Sequence, residues 1–243
     1  MKRYADIHCH MLPGVDDGAI DMETTMQMLE ISYQEGARAI VFTPHYEGGN
    51  NQYQPAELEE NYQMLKEKAA KMWPDLELYL GNELLYEQGI EEYVKDGSVH
   101  PMHQTKYVLV EFNVRISYQE LYHAMQKMQK IRFRPIIAHV ERYHCLTKHP
   151  ERIAELCEMG VYLQMNMTSV LGNVFNENTR WCRKLLKEKR ISFLGTDAHD
   201  TRHRSPYTGE SMKWLEKHLE AEYLENILWK YPMKMLENKY LEI

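Results

Sequence analysis

The sequence predicts an α/β fold of about seven strand–helix units closed into a distorted barrel, and three observations predict it. Short apolar runs alternate with amphipathic helical runs from end to end, which means βαβ units and a mainly parallel sheet. No composition break, internal repeat or low-complexity linker divides the 243 residues, so residues 1–243 read as a single domain, a size at which α/β barrels are routinely one unit. Nearly every strand-like run ends on His, Asp or Glu, and the C-terminal rim is where such barrels place their chemistry.

Taken in order, the first run, "YADIHCH" from Tyr4, sets Asp6, His8 and His10 on one face and Ala5, Ile7 and Cys9 on the other, because strand side chains alternate. A half-solvated edge strand gives the same stripe, so this run alone does not separate structure from metal ligation. "DMETTMQMLEISYQEG" follows as a helix with Asp21 as N-cap, Glu23 in the first turn and Gly36 as the stop, with Met22, Met26, Leu29 and Tyr33 as its core stripe. "ARAIVFTPH" is the second strand and ends at His45, before the polar loop "YEGGNNQYQP".

A helix over residues 55–72, stopping before Pro74, leads to the third strand "LELYLGNE", which ends at Glu83, and to a helix near 87–95. "KYVLVEF" ends at Glu111, the amphipathic stretch 117–131 follows, and "RPIIAHVER" carries His139 at its end. Pro150 and Gly160 bracket the next helix, "VYLQMN" is the sixth strand, and a helix spans 176–189. "ISFLGTDAH" is the seventh strand, ending at Asp197 and His199; from Gly209 the tail reads as helix interrupted by Pro232.

Composition narrows the function classes. A net charge of −7 argues against a nucleic-acid footprint, which disfavours a nuclease. No run approaches the ~18 apolar residues of a membrane span, and the start "MKRYADIHCH" has no apolar h-region, so a cytoplasmic protein without membrane insertion is expected. Cys9, Cys145, Cys157 and Cys182 form no C-x-x-C pair and read as reduced packing residues. The 12 histidines are a surplus that asks for a role.

Six of seven strands delivering imidazole or carboxylate to one rim would gather charge that is costly to bury unless paired or metal-bound. The set lacks thiolate, which suits manganese, iron or zinc in an open hydrolytic site. Eight or more ligand candidates exceed one ion's needs, so two or three divalent ions are expected. His100, His103, His123, His144, His149, His203 and His218 read as surface or loop residues.

"DIHCHMLPGVDDG", "TPH", "GNE", "VEF", "AHVERY" and "GTDAH", in this order over nearly the whole chain, closely resemble the PHP (polymerase and histidinol phosphatase) superfamily, in its branch of bacterial metal-dependent tyrosine phosphatases from capsule and exopolysaccharide loci. The resemblance implies a distorted (β/α)7 TIM-like barrel, the PHP fold, with a trinuclear site. One ion falls to His8, His10, Glu83 and Asp197, a second to Glu83, Glu111 and His139, and a third to Asp17, His45 and His199, with manganese ahead of iron or zinc. Asp16 is the alternative to Asp17, and Cys9 stands where the resemblance leads one to expect serine. Arg142 and Arg204 correspond to arginines that contact phosphate, with Arg202 as alternative to the latter. The implied activity is hydrolysis of phosphotyrosine on a protein, an autophosphorylated bacterial tyrosine kinase controlling capsular or exopolysaccharide synthesis. Histidinol phosphate or another small phosphomonoester is the alternative substrate, and a homo-oligomer is left open. A metal-stabilised binding module without catalysis is the rival of a different class, and the full ligand set counts against it.

Overall fold

The computed structural model describes residues 3–48, 51, 53–173 and 175–241; Gly49, Asn50 and Gln52 of the polar loop lie outside them. Strand β1 (Tyr4–Cys9) is buried along its whole length, which removes the edge-strand reading: the polar stripe faces the protein interior. It pairs in parallel with β2 (Ala37–Phe42), and β2 with β4 (Glu77–Leu80). A second parallel sheet runs β3 (His45–Tyr46), β5 (Glu83–Leu85), β6 (Tyr107–Glu111), β7 (Arg134–Ile137), β8 (Tyr162–Asn166) and β9 (Phe193–Gly195).

The second and third strands of the sequence reading are each split in two. Pro44 has no N–H to give a ladder at the first break, and Gly81-Asn82 forms the second. The halves stay in line, since Gly81 N–H donates to Phe42 O (2.8 Å) and Glu83 N–H to Pro44 O (3.1 Å). The ring closes between its last and first strands: Asp197 N–H donates to His8 O (2.7 Å), His10 N–H donates to Ala198 O (2.9 Å), and Cys9 bridges Ala198. Seven strand positions therefore form a distorted barrel.

A register shift between Asp6 and Cys9 breaks the strict alternation expected of β1. Ile7 joins a smaller apolar cluster with Val41, Leu109, Ile136 and Phe193, closed by Met235 and Leu236, whereas Cys9 packs in the larger cluster between sheet and helices. The four cysteines are unpaired, and none of the seven histidines read as surface or loop residues is buried.

The helices cover the ring. They are α1 (Met22–Gln34), α2 (Pro55–Met72), α3 (Ile90–Asp96), α4 (Tyr118–Lys130), α5 (Pro150–Glu158), α6 (Glu177–Lys187), α7 (Gly209–His218), α8 (Ala221–Glu225) and α9 (Tyr231–Leu236). Asp21 caps α1, accepting from Thr24 N–H at 2.8 Å, a bond typically worth about 1 kcal/mol. The buried face of α1 is rotated from the expected stripe: Thr25, Met28, Leu29 and Ser32 are buried, and Met22, Met26 and Tyr33 lie at its margin. In the tail, the helix breaks at Leu219–Glu220 rather than at Pro232; α8 runs into α9 without a break through a π-helical turn at Asn226–Lys230, and Pro232 follows that wider turn. Among the described residues no helix is long and apolar enough to cross a membrane.

Candidate metal centre

The strand ends converge. His8, His10, Glu83, His139, Asp197 and His199 are all at most 4% exposed, with His45 and Glu111 about one-fifth exposed and Asp17 open to solvent at 59%. All nine ligand candidates of the sequence reading meet at the C-terminal rim. Among the described residues, three groups bring ligand atoms within 4.8 Å of one another: His8, His10 and Asp197; His45, Glu83 and Glu111; and His10, Asp17, His45 and His199. His139 Nε2 lies 2.9 Å from Glu83 Oε1 and 3.2 Å from Glu111 Oε1, beside the second group. Glu83 is the hub, its Oε2 standing 3.2 Å from His8 Nε2, His10 Nε2 and His45 Nδ1 alike.

Three histidines are held from behind through Nδ1. His10 Nδ1 donates to Asp16 Oδ2 (2.8 Å), His199 Nδ1 to the carbonyl of Asp197 (2.9 Å), and His8 Nδ1 to Gln164 Oε1 (3.1 Å). An imidazole whose Nδ1 carries the proton leaves Nε2 as a lone pair, and all three Nε2 atoms face the cluster. Asp16 and Asp17 are thereby separated: Asp16 grips His10 and also accepts from His45 N–H (3.1 Å), whereas Asp17 Oδ1 reaches His45 Nε2 (3.4 Å) and His199 Nε2 (3.3 Å).

The backbone is bent to deliver these groups. Asp197 and His139 take positive φ angles of 55° and 29°, a left-handed conformation that costs an L-residue roughly 1–2 kcal/mol. Close approach fixes Gly195, where a Cβ would stand 2.7 Å from His8 Cβ.

The electrostatics call for positive charge. Burial works against a charged His10, but the hydrogen bonds it donates to Asp16, Asp197 and Glu83 push its pKa well above the usual imidazole range. His139 goes up to about 9, burial again being overcome by Glu111 and Glu83. Glu83 is itself held well below the carboxylate range; burial opposes this, and the charge of His8 with hydrogen bonds from His10 and His139 prevails. His199 differs: burial, with His10 and Arg204 nearby, lowers it to about 4 and keeps it neutral.

Two buried nitrogens, His45 Nδ1 and His199 Nε2, make no hydrogen bond although carboxylate oxygens lie 3.2 Å and 3.3 Å away. Lone pairs and carboxylate oxygens packed toward common points fit divalent cations, and a donor set of imidazole and carboxylate fits manganese, iron or zinc.

Both expected arginines reach the cluster through one carboxylate. Arg142 Nη2 hydrogen-bonds Asp197 Oδ2, and Arg204 Nη2 lies 2.8 Å from Asp197 Oδ1. Burial would lower the guanidinium pKa of Arg142, but the charges of Asp197 and Glu141 raise it. Arg202 is exposed, and its backbone N–H bonds Asp200.

Sequence reasoning missed two residues. Gln164 and Asn166 of β8, the strand that brings no ligand candidate, are buried and bonded to the cluster. Their signal was present: two amides at alternate positions in "YLQMN" share one face of an otherwise apolar strand.

The family model for capsular polysaccharide synthesis proteins CpsB/CapC matches residues 4–237. The chain is similar to the tyrosine-protein phosphatase CpsB of Streptococcus agalactiae, with 29% identity over 241 residues covering 97% of this chain and 99% of that protein. It is also similar to the tyrosine-protein phosphatase YwqE of Bacillus subtilis, 30% identical over 220 residues, 89% of this chain and 85% of that protein. A crystal structure from work on YwqE from Bacillus subtilis and CpsB from Streptococcus pneumoniae, described as unique metal-dependent tyrosine phosphatases, superposes with a TM-score of 0.88. It is 27% identical, over 98% of this chain and 96% of that one. With a family match over almost its full length and the same barrel as that structure, this chain belongs to the CpsB/CapC family.

Proposed function

We propose that this chain is a metal-dependent phosphatase that hydrolyses phosphotyrosine on proteins, using two or three divalent ions, manganese ahead of iron or zinc. His8, His10, Asp17, His45, Glu83, Glu111, His139, Asp197 and His199 would hold them. The observation that carries the reading is the set of Nε2 lone pairs of His8, His10 and His199, each fixed from behind and aimed at carboxylates. Without metal a proton on His10 stands between ring and carboxylates, and a divalent cation that displaced it would be held by the same imidazoles and carboxylates.

Ions bound there would supply Lewis acidity toward the phosphoryl oxygens and lower the pKa of a nearby water. The chain's own residues orient the substrate. Arg142 and Arg204, 37% and 41% exposed, sit at the mouth with guanidinium forks suited to the phosphoryl oxygens, and their charge favours the transition state over the ground state as it spreads to those oxygens. A phenolate leaving group, with a pKa of ~10, needs less protonation than an alkoxide, so a site built of ligands and arginines suits an aryl phosphate.

The physiological substrate we propose is an autophosphorylated bacterial tyrosine kinase that controls capsular or exopolysaccharide synthesis, met in the cytoplasm. Its support is the capsule-synthesis family and the tyrosine-phosphatase names of the relatives. The test is to strip the protein of metal, re-supply manganese, iron, zinc or magnesium, and offer phosphotyrosine peptide and histidinol phosphate side by side. Metal-restored turnover of the peptide, faster than of histidinol phosphate, is expected. Faster turnover of histidinol phosphate would move the assignment to small phosphomonoesters, and no metal-dependent turnover of either would overturn it.

A further inference from the structure

We propose that Gln164 and Asn166 form an amide relay that fixes the tautomer of His8 and the orientation of Asp197, making both of them positioning residues for the metal centre. The inference rests on the reading of that centre given above.

Hydrogen-bond directions along β8 follow from one fixed donor. The backbone N–H of His139 can only donate, so the Gln164 side-chain atom 2.6 Å from it is the oxygen. That same oxygen lies 3.1 Å from His8 Nδ1, so Nδ1 must bring the hydrogen. The Gln164 amide nitrogen then points to Asn166 Oδ1 at 3.0 Å, and Asn166 Nδ2 is left to donate to Asp197 Oδ2 at 2.8 Å. No step in the chain has a free choice.

Two consequences reach the centre. His8 is held with its Nε2 lone pair toward Glu83 Oε2 (3.2 Å) and Asp197 Oδ1 (3.5 Å). Asn166 and Arg142 hold Asp197 by Oδ2, which turns Oδ1 toward the imidazoles of His8 and His10 (3.5 Å each), where it also meets Arg204 (2.8 Å). The relay is itself anchored, because Asn166 N–H donates to Glu141 Oε1 at 3.0 Å and Ser169 Oγ donates to the same oxygen at 2.6 Å. A strand that brings no ligand thus sets the geometry of ligands on two others.

The test compares the wild type with Gln164→Met, which keeps length and removes the acceptor, and Gln164→Glu, which keeps the acceptor. Zinc affinity is measured by competition titration, and the His8 Nδ1–H signal is followed in side-chain nitrogen–proton spectra of the zinc-loaded protein. Gln164→Met should weaken zinc roughly 10–100-fold, the usual range for outer-shell partners, and lose the protected Nδ1–H signal. Gln164→Glu should restore that signal. If Gln164→Met does not fold, Asn166→Ala, which frees Asp197 and leaves His8 held, should still weaken zinc by about tenfold or more. A folded Gln164→Met with wild-type affinity and an unchanged His8 signal, or failing that an Asn166→Ala with wild-type affinity, overturns the relay alone. A wild type that binds no zinc overturns the metal-centre reading and the relay together.

Discussion

Replacing Glu83 with glutamine removes one negative charge while keeping the shape of the side chain, and so asks how much the centre depends on that charge. The carboxylate is 1% exposed, and four imidazole nitrogens stand 2.9–3.2 Å from its two oxygens. At 3.2 Å, a distance the structure gives three times, one unit charge pair is worth about 5 kcal/mol at an effective dielectric of about 20. That agrees with the ~3–5 kcal/mol lost when one partner of a buried ion pair is removed. At 1.4 kcal/mol per tenfold, the variant should bind divalent metal roughly two to three and a half orders of magnitude more weakly. Hydrolysis should fall with it. Metal content after gel filtration, a manganese titration and turnover of phosphotyrosine peptide are the readouts. In the metal-free variant, His139 should also titrate well below about 9, since one of the two carboxylates that raise it is gone. A variant with full metal content and full rate would refute the placement of Glu83 at the hub.

Further outcomes follow from other groups. Arg142→Ala, assayed at saturating metal, should lose rate, since a charge-assisted contact to phosphate is typically worth ~1.5–3 kcal/mol; an unchanged kcat/KM for phosphotyrosine peptide would free Arg142 of that role. Metal must displace the proton that His139 holds up to about 9, so manganese affinity should rise with pH between 7 and 9, with proton release seen by calorimetry in buffers of different ionisation enthalpy; a pH-independent affinity would contradict this. Asp6, raised to about 6 by burial against the bonds it accepts from Thr196, should destabilise the metal-free fold as pH climbs from 3.8 through 6 and remain a constant cost above that. The shift corresponds to about 3 kcal/mol, so Asp6→Asn should gain up to that amount at pH 7 and nothing near pH 3.5 in chelator, measured as the denaturation difference between the two proteins. A gain that does not vary with pH would show that packing, not ionisation, is responsible. Changing all four cysteines to Ser or Ala should leave a folded phosphatase active and still chelator-sensitive, since the Cys9 thiol points to Val41 O and no cysteine joins a ligand group among the described residues; a folded variant that is dead while the parent tolerates chelator would sink the metal mechanism.

The ring of seven strands was legible because short strand-like runs alternate with helical runs, and α1, α4 and α6 begin at capping residues, so period and punctuation agree. What escaped was internal to the strands. Nothing in "ARAIVFTPH" or "LELYLGNE" says that pairing passes from β2 and β4 to β3 and β5 across Pro44 and Gly81-Asn82, because the partners of each half are set by neighbours far along the chain. The bulge in β1 escaped for the same reason. Strict alternation put Ile7 opposite His8, and the register shift against β2 that turns Ile7 into the inner cluster is a tertiary effect.

At the centre, legibility follows the rarity of the side chain. His, Asp and Glu at the end of a buried strand are costly there, and their repetition on six strands had one economical explanation, so eight candidates stood out from the strand ends, while Asp17 in the loop came from the family resemblance; the structure brings all nine to one rim. Asp16 and Asp17 were not separable in sequence, since adjacent carboxylates in a turn can exchange roles and only the bonds to His10 and His45 divide them. Gln164 and Asn166 were passed over for a different reason: a neutral amide in a strand costs little once it is bonded, so their shared face in "YLQMN" is a weak signal. Yet the direction of every bond they make is forced by the His139 N–H, and a ligand imidazole is useful only with its proton on the far nitrogen. Sequence reading finds the groups that would hold the metal by their charge, whereas the groups that aim them are neutral and reveal themselves only through hydrogen-bond direction.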